Sequence, residues 1–84
     1  MGLKHVRVFK YDGSRQCGQE AGIPVAEMQK EFGSMLIIKA ENKADKLMHT
    51  MVCGSPTGKA NVYEILESDL PIAKKLGFKE WLWD

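Results

Sequence analysis

Eighty-four residues make one domain, which buries roughly 60 to 65% of the surface its unfolded chain exposes: enough for a thin two-layer core, too little for a deep catalytic cleft unless two copies build it. At 44% hydrophobic and 27% charged residues, the composition excludes disordered and collagen-like classes. Twelve basic against 11 acidic side chains leave a net charge of +1, which directs the chain to neither nucleic acid nor a membrane surface.

Segment 6–11, VRVFKY, is branched and aromatic and reads as a strand, with Val6, Val8 and Lys10 on one face and Arg7, Phe9 and Tyr11 on the other. Bulky groups on both faces place it inside the sheet. Asp12-Gly13 turns the chain into a glycine-rich loop, 13–22, that gathers Arg15, Gln16 and Cys17. Pro24 opens a helix over 24–32, where Val25, Met28 and Phe32 form an apolar stripe and Gly33 ends the last turn. The apolar run 35–39, MLIIK, predicts a central strand covered on both faces, and the polar segment 40–46 a mobile connection or a turn at Asn42.

The strongest local signal is 47–66, LMHTMVCGSPTGKANVYEIL, two β-rich runs (47–53 and 61–66) around a Gly-, Ser- and Pro-containing stretch, which reads as a hairpin with an extended loop. A second short helix follows over 70–76, with Ser68 or Asp69 as its N-terminal cap, Lys74 and Lys75 at its negative end and Gly77-Phe78 as its C-terminal cap. The tail carries Trp81, Leu82 and Trp83 as a further helical turn or an edge strand; at least one of Trp81 and Leu82 is expected on the sheet. The fold class is α+β: a small two-layer domain, with a three- to four-stranded, mainly antiparallel sheet and two short helices on one face, in the order β-loop-α-β-β-β-α.

Cys17 and Cys53 each sit in a glycine-containing loop, each followed by glycine. A bond between them would close a loop of 37 residues and stabilise by roughly 4 kcal/mol in the chain-entropy model. No run is long enough to span a bilayer and the first residues lack the apolar core of a signal peptide, so the expected location is the cytoplasm, with both cysteines as reduced thiols. A thiol nucleophile would need His49 or His5 as its base. His49 and Cys53 share a strand face but stand some 13 Å apart on an extended strand, too far for a hydrogen bond. The same separation, and the lack of paired C-x-x-C spacing, argue against zinc. The run 54–59, GSPTGK, differs from a phosphate loop in glycine spacing and in carrying Ala60 after the lysine.

These features lead to a non-enzymatic binding or interaction module for a protein or small molecule, without cofactor or metal, whose recognition surface is built from Arg15, Gln16, Cys17, Cys53, Ser55, Thr57 and Lys59. One alternative is a thiol-dependent redox or catalytic protein using Cys17. The other is a structural or inhibitory domain tethered by a Cys17–Cys53 disulfide. Trp81, Leu82 and Trp83 are the candidate contacts of a homodimer. The excess of three positive charges within residues 1–16 (Lys4, Arg7, Lys10 and Arg15 against Asp12) reads as a solvated strand face.

Overall fold

The computed structural model describes residues 4–18, 20–47 and 52–83. Strand β1 (His5–Tyr11) is followed by helix α1 (Val25–Gln29), strands β2 (Ile37–Ala44) and β3 (Lys59–Leu66), helix α2 (Leu70–Lys75) and a short strand β4 (Lys79–Glu80). All pairings are antiparallel and the sheet order is β2-β3-β1-β4. Strands β1 and β2 therefore run parallel with β3 inserted between them, a split β-α-β arrangement that hosts many unrelated functions and assigns none.

Both helices lie on one face of the sheet. There Val8, Tyr63 and Ile65 from the strands pack against Met28 and Phe32 from the first helical region and Ala73 and Phe78 from the second. Phe32 meets Tyr63 edge-on at 5.1 Å and Phe78 at 4.4 Å between ring centroids, so three aromatic rings form the centre of this layer. The expected stripe of Val25, Met28 and Phe32 is this contact; its helix changes to a 3-10 turn over Lys30–Phe32 and stops at Gly33, φ 62°. The Tyr63 hydroxyl donates to the Val25 carbonyl at 2.6 Å, anchoring α1 to the central strand.

At the end of α2, Gly77 takes φ 96°, a conformation that costs a side-chain-bearing residue strain. Its N–H donates to the Lys74 carbonyl at 3.1 Å and the Phe78 N–H to the Ala73 carbonyl at 3.0 Å, the paired bonds of a Schellman cap. Lys10 crosses from β1 to bond the Leu76 carbonyl at 3.0 Å and Glu31 at 2.7 Å. Asp69 occupies the N-cap position but makes no side-chain cap bond. The 3-10 turn Glu67–Asp69 runs straight into the helix, and its Glu67 carbonyl receives the Leu70 N–H instead.

Three expectations need correction. The run 35–39 is not a central strand: β2 begins at Ile37, lies at the sheet edge and bulges between Ile37 and Lys39, leaving Leu36 58% and Ile38 40% exposed. Segment 40–44 is not a connection but the body of β2, because its register with β3 sets Asn42 against Asn61. The hairpin partner of β3 is thus 37–44 and not 47–53. Leu47 and Val52 lie in bends, Cys53 lies in a turn, and 48–51, with His49, fall outside the described residues. The remaining strand comes from the tail, where β4 pairs with β1 at Val8 and Phe9, so the order is β-α-β-β-α-β.

Candidate binding site at the disulfide-closed ribbon

The antiparallel pairing of β1 with β3 does not stop at the sheet. Past Tyr11 the Asp12 N–H donates to the Lys59 carbonyl at 3.0 Å, the Thr57 N–H to Ser14 at 3.1 Å, the Gln16 N–H to Ser55 at 2.8 Å and the Gly54 N–H to Gln16 at 3.3 Å. The hydroxyls of Ser14 and Thr57 join at 2.6 Å across this ribbon, and Arg15 donates to the Gly54 carbonyl at 2.8 Å. A Cys17–Cys53 disulfide closes the tip, its Cα atoms 5.1 Å apart. The expectation of two reduced thiols is therefore corrected: loops far apart in sequence become neighbours because β1 and β3 are neighbours.

The base of the ribbon is set by a polar network in which Asp12 and Asn61 are buried and Asn42, which joins them, is exposed. Asp12 accepts from the Ser14 N–H at 2.8 Å, making a local turn, and from the Asn42 amide at 3.0 Å. Asn42 also donates to Asn61 at 3.0 Å, and Asn61, wholly buried, donates to the Ile23 carbonyl at 2.8 Å. One chain of bonds thus ties β2, β3, the start of the ribbon and the approach to α1 together, satisfying groups whose isolation would be costly. Gly22 is required beside it, since a Cβ there would stand 2.5 Å from the Asp12 carboxyl carbon.

Between sheet and ribbon lies a cavity of about 400 Å³, lined by Tyr11, Gly13, Ser14, Arg15, Pro56, Gly58 and Lys59. Its size falls within the range usual for small-molecule sites. The Tyr11 hydroxyl donates to Asp45 at 2.6 Å, and Asp45 in turn accepts the Leu47 N–H at 3.2 Å. Partial burial, then the Asp45 hydrogen bond, then the Asp45 charge push the Tyr11 phenol up to about 12. Tyr11 is therefore neutral at physiological pH, and the oxygen it would offer a ligand is already engaged.

Of the residues singled out from sequence, Arg15 and Lys59 line the cavity, whereas Gln16, Ser55 and Thr57 bond the ribbon to itself and Cys17 and Cys53 close its exposed tip. Sequence reasoning missed Tyr11, Gly13, Ser14, Pro56 and Gly58. Tyr11 read as a strand residue, and the signal of the other four was turn chemistry on either side of a strand pair whose pairing was itself not legible. His5 lies at the opposite end of β1, bonded to Glu64 at 2.8 Å, with about 20 Å of extended strand between it and Tyr11. It can serve neither as base for Cys17 nor as a shared metal ligand with the cystine.

The tail residues divide. Trp81 is buried on the helix-free face, edge-on to Phe9 at 5.2 Å and to Trp83 at 4.8 Å, whereas Leu82 is 80% exposed. Trp81 Nε1 is, among the described residues, a buried donor without an acceptor. No helix among the described residues is long and apolar enough to cross a membrane. The chain matches no family model, no curated protein and no solved structure, so what the cavity accepts has to follow from the chemistry of its own walls.

Proposed function

We propose that the protein is a small binding module and that the cavity at the base of the disulfide-closed ribbon is its recognition site. The observation that carries this reading is the convergence of two loops, 13–15 and 56–59, on one concave, mainly apolar space, with a cross-link and a partly buried network holding its two sides in register. Pre-organisation of this kind lowers the entropy cost of binding. Among the described residues, the walls present no nucleophile paired with a base, which favours binding over catalysis. A fragment screen followed by amide chemical shifts tests the reading: binders should move Gly13, Ser14, Gly58 and Lys59 together. Binders that cluster elsewhere on the sheet would refute it.

The exposure of both half-cystines supports a second reading, in which the bond itself is the functional group. Cys17 is held at φ 63°, a left-handed conformation unusual for a residue with a side chain, and reduction would release it. Exposed disulfides are the more readily reduced ones. In that reading a dithiol reductant gives up two electrons and two protons, becoming a disulfide as Cys17 and Cys53 become thiols. Equilibration with glutathione separates the readings, since a bond that stays oxidised in a reducing buffer is a tether only. As a lasting tether, the cross-link favours an oxidising compartment over the cytoplasm expected from the sequence.

A further inference from the structure

The geometry points to a small organic anion, an apolar body carrying one carboxylate, as the ligand class of the ribbon cavity, with the Lys59 ammonium as its charge partner. The inference rests on the cavity being the binding site and goes on to say what enters it.

Hydrogen-bond accounting carries the argument. The neutral side-chain polar groups on the walls are already engaged, the Tyr11 hydroxyl with Asp45 and the Ser14 hydroxyl with Thr57, and the Arg15 N–H is bonded to the Glu20 carbonyl. A ligand rich in hydroxyls, such as a sugar, would give up water and find few partners in return. What the walls still offer is apolar surface, including the half-exposed Tyr11 ring, and positive charge.

Among the described residues, the cavity is lined by two cations and no carboxylate. Arg15 is partly committed, to the Gly54 carbonyl and, at 3.6 Å, to Glu20. Lys59 makes no side-chain hydrogen bond or ion pair among the described residues. The carboxylates nearest in the bonding network are both occupied: Asp45 holds Tyr11 and the Leu47 N–H, and Asp12 holds Ser14 and Asn42. The available positive charge therefore faces a cavity whose other requirement is apolar, and a flat or compact carboxylate meets both.

Three probes of one shape separate charge from shape: phenylacetate, phenylacetamide and phenethylamine, titrated into the oxidised protein while the amides of Gly13, Ser14, Gly58 and Lys59 are followed. Phenylacetate should bind about ten-fold more tightly than the amide, in line with a charge-assisted hydrogen bond, and the amine more weakly than either. Lys59→Gln should bring phenylacetate down to the level of the amide without changing amide binding, and Lys59→Arg should restore the difference. Equal binding of acid and amide, or an unchanged ratio in Lys59→Gln, would overturn the anion inference while leaving the cavity as a site. Failure of all three probes to move these amides would overturn the site itself and the inference with it.

Discussion

The same pair of strands, β1 and β3, is held together by different physics at its two ends. Within the sheet, Val8, Val62, Tyr63 and Ile65 are almost wholly buried, and the pairing is secured by side chains packed under two helices and, on the other face, under the Phe9–Trp81 contact. In the ribbon, Arg15, Cys17, Cys53 and Pro56 are exposed, and backbone bonds with one disulfide provide the hold. A chain of this length has apolar material for a thin core only. Where burial ends, a cross-link takes over, and the cavity lies at the seam between the two regimes.

The contrast predicts different failures. Phe78→Ala removes a ring that touches both Phe32 and Tyr63 and should cost about 3–5 kcal/mol, with sheet and ribbon lost in one transition on chemical denaturation. Removing the bond with the double variant Cys17→Ser, Cys53→Ser should cost about 2–4 kcal/mol. Hydrogen exchange would locate that loss: amides of Gln16, Gly54 and Thr57 should lose protection under native conditions while those of β3 keep theirs. Equal loss in β3 would show that the ribbon and the sheet are one cooperative unit.

The partly buried polar network joins the two regimes. Asn42→Ala would leave both the Asn61 side-chain oxygen and one Asp12 oxygen without a donor, at a cost of about 1–3 kcal/mol. Because Asp12 also shapes the turn to Ser14, the amide shifts of the cavity wall should move with it. Replacing a surface residue of the same strand, as in Lys43→Ala, should affect neither beyond about 0.5 kcal/mol.

This network also marks where the sequence stopped being legible. The helices announced themselves through apolar spacing, and β1 and β3 through branched and aromatic residues. Strand β2 did so only over 37–39, because farther along Asn42 and Ala44 are exposed and its strand character comes from pairing with β3 and not from its own composition. With 40–46 read as a connection, 47–53 stood in as the hairpin partner, and the tail stood open between a helical turn and the edge strand that it forms. The site was half visible: Arg15 and Lys59 stood out as cations in glycine-rich loops, whereas Tyr11 looked like an ordinary strand residue until the register placed it beside the ribbon.

Two tyrosines, one on each side of the seam, permit a pH test. Burial, followed by the Glu31 charge, pushes Tyr63 up to about 12, and burial, followed by Asp45, does the same for Tyr11. A phenol whose folded pKa exceeds its unfolded value of about 10 gives its full stabilisation below pH 10, because the native state then holds the proton longer than the unfolded chain. That stabilisation should fall as pH rises from about 10 through 12. Absorbance titration should show little phenolate from either residue at pH 10. Asp45→Asn should bring Tyr11 back toward its ordinary value and leave Tyr63 unmoved.

The smallest effect is expected at Leu82. It stands 80% exposed between a buried Trp81 and a half-buried Trp83, so the indoles are largely used by the monomer itself and Leu82 is the tail's remaining apolar contact. Leu82→Ser should therefore change unfolding free energy by less than about 0.5 kcal/mol, whereas Trp81→Ala, which empties the space beside Phe9, should cost about 3–5 kcal/mol. Sedimentation at high micromolar concentration gives the same pair of variants a second meaning. If two copies pair through this tail, Leu82→Ser should return the protein to a monomer with its fold intact. A monomer in both wild type and variant would instead confine the tail's role to sealing the helix-free face of its own sheet, and a stability loss above about 1 kcal/mol in Leu82→Ser would contradict the exposure on which either outcome depends.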